Sequence, residues 1–450
     1  MHPLRKVSYR VQRLLSGLRY RTQRRFTSMG LAALGGFGFT GLLCADVDQT
    51  LGYQILPLIG SLFLVSALGA WPFRLRFLLT RTLPRFATAG IPVRYRVRIR
   101  NDSGKSQAGL TLLENLADPR PSFEDYLVAQ KAGGKRTNPF RRPRPFAKAR
   151  IQRAQIRAAD LPEIPAGAEV EVLVDLVANR RGVLRLTGAT LARTDPLGLV
   201  RGFAHCVAAQ SLLVLPRRYA LPPLALPGSV RYQQGGVALA SSVGQSEEFI
   251  SLRDYRRGDP LRHIHWRSWA KVDKPIVKEF QDEFFVRHAL VLDTFLDVPH
   301  SEAFEEAVSV AASFACAIAN QESLLDLLFV GPKAFCFTVG RGLAHTDQML
   351  EILAAVPPAA NLGFEVLEQL VLNHSSVVSG CICVLLSWDS RRQTLIQRLR
   401  QLGVPVLVIL VVEAGARPRS STGPILDDPG HFHVLETDQI QAGLARLGKG

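Results

Sequence analysis

Two apolar stretches near the amino terminus constrain the fold of this chain more than any other feature. Residues 28–45 and 51–73 contain no charged side chain, and each has about the 20 residues that a helix needs to cross a membrane. The linker between them contains Asp46 and Asp48. A secretory signal peptide and a pair of buried helices in a soluble protein are the alternatives. We predict a transmembrane helical hairpin within residues 27–74.

The distribution of basic residues predicts the orientation of this hairpin. The chain has 450 residues and a formal net charge of +17. Residues 1–26 contain eight basic residues and residues 131–157 contain ten, with no acidic residue in either segment, so the rest of the chain is nearly neutral. Basic residues flank the hairpin at both outer ends, which places both ends in the cytoplasm. We therefore predict a multi-pass protein with two spans, a basic cytoplasmic amino terminus (1–26) and most of its chain in the cytoplasm.

The same two basic segments predict the kind of surface that the chain contacts. Basic residues close to a membrane bind anionic lipid headgroups, and we expect anionic lipid to be the partner of both segments. For residues 131–157, an acidic partner and a solvated loop without a role are the alternatives. We do not predict nucleic-acid binding, because Phe140 and Phe146 are the only aromatic residues of this insertion and no known nucleic-acid-binding motif accompanies them.

An alternating pattern of apolar and basic residues predicts β-strands after residue 84. Val93, Tyr95, Val97 and Ile99 alternate with arginines, as in a strand that buries one face. Further short apolar segments follow with turn residues between them. We predict a β-sandwich over residues 84–226, interrupted by the basic insertion 131–157 as a long flexible loop.

The pattern over residues 285–450 changes to strands that alternate with helices. Residues 287–293 form an apolar run, and an alanine-rich amphipathic segment follows at 301–320. Further strands are predicted at 324–330, 335–339, 377–386 and 404–412, and further helices at 347–355, 364–372 and 390–402. Apolar strands between helices predict a mainly parallel sheet that is covered on both faces.

Three aspartates follow predicted strands of this α/β domain, where open sheets bind their ligands. Asp293 and Asp297 come after the first strand, and Asp389 comes after the strand at 377–386. Carboxylates that converge there can hold Mg²⁺. The alternative is that they cap helices or are solvated. The chain has no glycine-rich phosphate loop after Asp293 and no Gly-x-Ser-x-Gly nucleophile turn.

The segment between the two predicted domains, residues 227–284, has the most unusual composition of the chain. Gly258, Asp259 and Pro260 are turn-forming residues. After them, residues 261–266 are predicted to be extended, so that His263 and His265 share one face and Ile264 and Trp266 share the other.

This segment resembles the hallmark sequence of the bacterial domain of unknown function 58 family (DUF58). The matching positions are Arg253, Tyr255, Gly258, Asp259, Arg262, Ile264, Trp266, Ala270 and Glu279. Residues 180–201 resemble upstream strands of the same family, and two amino-terminal spans in the inner membrane are usual in it.

The resemblance implies a fold, partners and a metal-binding position. It implies a von Willebrand factor A-like domain, in which an Asp-x-Ser-x-Ser run after the first strand holds a metal. Here Phe295 and Asp297 stand at the two serine positions, which argues against a bound divalent metal, and no other cofactor is implied. The implied partners are a MoxR-type AAA+ ATPase and a transglutaminase-like membrane protein.

Two interpretations of the motif residues are open. In the structural one, Asp259 and Glu279 pair with Arg253 or Arg262, and Trp266 buries its ring between the domains. In the functional one, the arginine-rich turn docks a partner protein. We predict a membrane-anchored interaction or assembly factor that is not itself an enzyme. The alternative is a metal-dependent hydrolase or nuclease that uses Asp259, His263 and His265.

Overall fold

The computed structural model of the chain divides into two compact units, Met1–Leu215 and Pro216–Gly450. The structure describes residues 10, 14, 17, 18, 22, 24–43, 50–70, 73, 75–117, 153–223, 249–259, 261–280, 286–296, 301–319, 324–339, 343–359, 362–415 and 430–447.

The first unit contains the helices α1 (Ser28–Leu43) and α2 (Thr50–Ala70). Thr27 starts α1, where its Oγ1 atom accepts a hydrogen bond from the N–H of Gly30 at 3.0 Å, as an N-capping side chain does. The N–H of Thr27 donates to the carbonyl of Leu199 at 3.1 Å, which joins the start of the helix to the β-structure. Within the part of the chain that the structure describes, no helix is both long and apolar enough to span a membrane.

In the described part of the first unit, nine strands form two sheets. The strands are β1 (Phe77–Thr82), β2 (Phe86–Thr88), β3 (Pro92–Asn101), β4 (Leu110–Leu116), β5 (Ala154–Ile156), β6 (Ala159–Asp160), β7 (Glu169–Ala178), β8 (Gly182–Thr194) and β9 (Arg201–Leu215). One sheet has the order β1-β3-β7-β5, and the other has the order β2-β9-β8-β4-β6. All neighbours are antiparallel except β2 and β9, which are parallel.

The two sheets bury one shared apolar core. Val97 and Ile99 of β3 are completely buried, and they belong to the same cluster as Leu112 of β4 and Leu191 of β8. The arginines between the apolar residues of β3 are exposed, as the alternation predicts. Most of the predicted basic insertion lies outside the described residues, but its last part is not a loop, because Ala154–Ile156 pairs with β7.

The second unit begins with a small two-stranded sheet and continues as a helix-covered sheet. The elements of the first part are β10 (Phe249–Asp254), a 3₁₀ helix (Leu261–His263), α3 (Trp266–Val272) and β11 (Ile276–Phe280). The elements of the second part are β12 (Arg287–Leu292), α4 (Glu302–Ala319), β13 (Leu324–Val330), β14 (Ala334–Val339), α5 (Leu343–Ala355), α6 (Glu365–His374), β15 (Gly380–Leu385), α7 (Ser390–Gln401), β16 (Val406–Val412), β17 (Phe432–Glu436) and α8 (Ile440–Leu444).

The six strands β12–β17 form a mixed sheet in the order β14-β13-β12-β15-β16-β17. All neighbours are parallel except β13 and β14. The first strand of this sheet, β12, lies in its middle. The next strands along the chain, β13 and β14, lie on one side of β12, and β15, β16 and β17 lie on the other. The carboxyl end of β12 therefore lies where the strand order reverses, which is the usual place of a ligand crevice in open α/β sheets.

Helices account for the burial of the central strands on both faces. Ala289 and Val291 of β12 pack in one cluster with Leu367 of α6 and Leu395 of α7. Helix α4 contacts β12, β13, β15 and β16. Leu290 and Leu292, which alternate along β12 with Ala289 and Val291, are also fully buried. Strands covered on both faces read as continuous apolar runs, which is why residues 287–292 lack alternation.

Candidate functional site

The residues that carry the family resemblance lie on β10, on β11 and on the segment that joins them. The two strands are antiparallel, with Arg253 opposite Val277 and Ser251 opposite Glu279. The N–H of Tyr255 donates to the carbonyl of Pro275 at 2.9 Å, which extends the pairing by one step. The side chain of Glu279 lies outside what the structure describes, so its predicted ion pair stays a prediction.

Asp259 accepts hydrogen bonds from Arg253 at both of its carboxylate oxygens. Arg253 Nη1 lies 2.7 Å from Oδ2 and Nη2 lies 2.9 Å from Oδ1, and the N–H of Arg256 also donates to Oδ2 at 2.8 Å. Gly258 has a φ of +109°, a conformation that favours glycine over other residues. Hydrogen bonds from Arg253 and then from the backbone of Arg256 lower the pKa of Asp259 to about 2. The predicted pairing of Arg253 with Asp259 is confirmed.

The predicted extended segment at residues 261–266 is wrong. Leu261–His263 is a 3₁₀ turn, and a helix begins at Trp266. Ile264 is 7% exposed and forms a single β-bridge with Val277, while the carbonyl of His265 accepts hydrogen bonds from Ser268 and Trp269. The alternation of apolar residues favours an extended segment. The backbone hydrogen bonds within the segment and its contact with β11 impose a turn and a helix instead.

Trp266 is exposed, contrary to the prediction that its ring is buried. Its side chain is 65% exposed, and it stacks on Trp269 with ring centroids 5.2 Å apart and an interplanar angle of 16°. The two rings meet because residues three apart lie on the same side of a helix. Indole rings stacked at a surface form a large apolar face.

Exposed basic side chains surround this tryptophan pair in the sequence. They are Arg256, Arg257, Arg262, Arg267, Lys271 and Lys274, while Asp254 and Asp273 are the exposed acidic residues of the stretch 251–278. We call the exposed residues of the segment 261–272, together with the half-buried Trp269, the docking face. It carries a positive charge and an aromatic pair.

The histidines of the motif do not join Asp259 in a metal-binding group. His265 Nδ1 lies 2.6 Å from the Oγ of Ser268. Among the residues that the structure describes, no three His, Cys, Asp or Glu side chains are grouped so that they could hold a metal ion.

Asp293 and Asp389 converge at the carboxyl end of β12, but an arginine lies with them. Arg392 Nε lies 2.6 Å from Asp293 Oδ2, and Arg392 Nη1 also contacts Asp389 Oδ2. The two charged groups of the first pair are almost completely buried. Burial lowers the pKa of Arg392, but the two carboxylates outweigh it and the pKa is raised. Asp297, the third predicted ligand, lies outside the described residues.

Two functional candidates were absent from the sequence predictions. Arg392 follows Asp389 by three residues at the start of a helix, and that spacing is the signal that predicts a capping and ion-pairing contact. Trp269 follows Trp266 by three residues, which predicts stacking once residues 266–272 are assigned to a helix.

Comparison with known proteins finds a family match over part of the chain. Residues 251–412 match the family described as Protein of unknown function DUF58. The DUF58 match begins within β10 and ends with β16, so it contains both the docking face and the Asp293–Arg392 pair. It confirms the resemblance carried by the motif residues.

A similar protein and two solved structures complete the comparison. Uncharacterized protein YeaD of Bacillus subtilis (strain 168) is 29% identical over 184 residues, which cover 40% of this chain and 44% of that protein. The match thus spans less than half of the relative. The CARDB domain of a Pyrococcus furiosus protein has 10% identity and a TM-score of 0.16, covering 31% of this chain and 93% of that one. Salmonella alpha-2-macroglobulin has 12% identity and a TM-score of 0.19, covering 35% of this chain and 8% of that one. Scores this low carry no argument about this chain.

Proposed function

We propose that this chain is a membrane-anchored protein-interaction or assembly factor without catalytic activity of its own. By resemblance, its partners are a MoxR-type AAA+ ATPase, for which it is an accessory or adaptor, and a transglutaminase-like membrane protein. The proposed fold is a β-sandwich followed by a von Willebrand factor A-like domain. The proposed location is the bacterial inner membrane, with the hairpin of residues 27–74 as anchor.

The exposed ring of Trp266, stacked on Trp269, is the observation that supports this function best. A tryptophan that is 65% exposed keeps a large apolar surface in water, and such surfaces are typical of sites that bind another protein. Tryptophan and arginine are also the residues most enriched where interfaces derive their binding energy. The docking face presents both types within twelve residues, 261–272.

The packing around the docking face supports a rigid binding surface. Ile264 and Val277 are buried against each other on the inner side of the segment. The Arg253–Asp259 pair closes the preceding turn. A surface that is already ordered loses little conformational entropy when it binds.

A binding measurement with the full-length chain in detergent tests the proposal. The partner to be tested is a MoxR-type AAA+ ATPase from the same organism, which is the partner that the resemblance implies. We expect Trp266→Ala to weaken binding about tenfold or more, because truncation of a central aromatic residue commonly costs about 2 kcal/mol. Leu402→Ala is the matched control, since Leu402 is 54% exposed and lies beyond α7; this variant should bind like the wild type.

Two outcomes would argue against the adaptor role. One is that the ATPase does not bind the wild-type chain. The other is a divalent-metal-dependent hydrolytic activity that Asp259→Asn abolishes, which would favour the hydrolase alternative.

The proposed lipid contact of the basic insertion needs a separate test. Because Ala154–Ile156 forms a strand, the deletion should end at residue 152 and replace 131–152 by a short glycine-serine linker. We expect the cytoplasmic part, residues 75–450, to bind anionic vesicles more weakly after the deletion. Equal binding would eliminate the insertion as a lipid contact.

A further inference from the structure

We infer that Arg392 takes the place of a divalent cation at the carboxyl end of β12, so that this edge of the sheet is held together without metal. The resemblance implies a metal position there, and the carboxylates of Asp293 and Asp389 do converge on it. The residues around them do not fit a metal ion. What they bind instead is a guanidinium group of the same chain.

Both carboxylate oxygens of Asp293 already accept hydrogen bonds. Oδ1 accepts from the N–H of Phe295 at 3.0 Å. Oδ2 accepts from the N–H of Leu386 at 3.1 Å and from Arg392 Nε at 2.6 Å. Because Leu386 follows β15 and Phe295 follows β12, this carboxylate links the ends of two adjacent parallel strands.

Asp389 completes the other half of the arrangement. It is the N-cap of α7, where its Oδ1 accepts from the N–H of Arg392 at 3.0 Å. Its Oδ2 contacts the guanidinium of the same arginine and lies 3.4 Å from the Oγ of Ser387. Arg392 therefore contacts both aspartates, and its guanidinium carbon lies 4.7 Å from the centre of the Phe364 ring.

In this geometry a guanidinium group lies between the two carboxylates, where Mg²⁺ would have to bind. Magnesium requires near-octahedral oxygen ligands at about 2.0–2.1 Å and usually keeps several waters. Here the fixed positive charge lies between the carboxylates, on a side chain that is 6% exposed and packed against an aromatic ring. A guanidinium stays protonated at physiological pH and cannot dissociate. The negative charges of the two carboxylates are therefore permanently balanced by the guanidinium, as a bound cation would otherwise balance them.

Thermal unfolding of the full-length chain in detergent, with MgCl₂, MnCl₂ or EDTA, tests this inference. We expect the wild-type Tm to be the same in all three. In Arg392→Ala, the two carboxylates lose their cation, so the Tm should fall in EDTA and recover by a few degrees when either metal is added. Arg391→Ala is the matched control: Arg391 precedes it in α7 but is exposed and pairs with Glu365. This variant should not respond to metal.

Two results would overturn the inference. One is a metal-dependent rise of the wild-type Tm that Asp293→Asn abolishes. The other is an Arg392→Ala variant that folds but does not respond to either metal.

If Arg392→Ala does not fold, a double-mutant cycle tests whether Asp293 and Arg392 act as a pair. Asp293→Asn and Arg392→Met should each lower the Tm in EDTA, and the double variant should lose less than the two single losses combined, because it leaves no unpaired buried charge. Additive losses would show that the two side chains do not act as a pair, which would also overturn the inference.

Discussion

Arg253 and Asp259 form a two-point ion pair across the turn that follows β10, with N–O distances of 2.7 and 2.9 Å. The pair fixes the path of residues 254–259, and the 3₁₀ turn and α3 of the docking face follow directly. Charged hydrogen bonds of this two-point type combine strength with defined geometry. The arginine and the acidic residue of the family motif thus serve to shape the surface beside them.

Asp259→Asn should destabilise the chain at neutral pH but not in strong acid. Arg253 lowers the pKa of Asp259 from 3.8 to about 2, so the folded state favours the charged carboxylate. The stabilisation is complete above about pH 4 and is lost as the pH falls towards 2. Thermal unfolding of the wild type and the variant across this range measures it.

The control for this prediction is Asp254→Asn, since Asp254 is an exposed acid on β10. A difference between wild type and Asp259→Asn that stays constant from neutral pH to about 2 would contradict the prediction.

Arg81→Met should strongly destabilise the first unit. Arg81 of β1 contacts Glu114 of β4 with Nε–Oε1 and Nη2–Oε2 distances of 2.9 and 2.7 Å, so the pair links the two sheets. The hydroxyl of Tyr95 donates to the same carboxylate at 3.0 Å. Removal of one partner leaves a buried charge, which costs about 3–5 kcal/mol. Urea unfolding checks the loss.

Two further variants sharpen the prediction for this pair. Arg81→Met combined with Glu114→Leu should recover part of the loss, because neither charge remains. Arg94→Ala is the surface control: its pair with Asp175 is exposed, and its loss should change the free energy of unfolding by about 1 kcal/mol or less. Equal effects of Arg81→Met and Arg94→Ala would refute the buried-pair argument.

Glu306→Gln should make the second unit more stable at neutral pH, with no gain in acid. Burial raises the pKa of Glu306 in α4, although hydrogen bonding from Tyr219 opposes the shift. A raised pKa means that the folded state favours the protonated acid. The stability of the wild type is therefore complete below the unfolded-state pKa of about 4.3 and declines as the pH rises through the folded-state pKa.

The amide group introduced by Glu306→Gln does not titrate, so the advantage of the variant should grow with pH and then level off. Chemical unfolding at several pH values measures the advantage. A constant difference between the two proteins would mean that the carboxylate does not titrate differently on folding.

Gly188→Ala should weaken the pairing of β8 with β9. The register of these strands shifts between Leu186 and Gly188, and a Cβ atom at Gly188 would lie far inside contact distance of the backbone carbonyl of Cys206. Backbone cannot move aside as a flexible side chain can, so we expect a loss of about 1–3 kcal/mol. Gly104→Ala is the control, because the space around Gly104 is open. Denaturant unfolding measures the free energy of unfolding of both variants, and equal values would contradict the prediction.

Local patterns alone predicted most strands and helices of the described residues. The alternation at residues 93–99 predicted β3, and the apolar run after Arg287 predicted β12. Strand β13 was predicted with its observed ends, Leu324–Val330. These predictions succeed because the period of apolar residues reflects which faces an element buries.

The sites depended on contacts that no local pattern encodes. Asp293 and Arg392 are 99 residues apart, and only the parallel pairing of β12 with β15 brings their helix and strand ends together. The sequence placed Asp293 and Asp389 at strand ends, and the spacing of Asp389 and Arg392 indicates their contact, but no local pattern reveals that the same guanidinium also binds Asp293. Likewise, the sequence identified the family motif around Trp266, yet the tertiary structure decided that this ring is exposed. Burial depends on which elements pack over a residue, and that packing is a property of the folded chain as a whole.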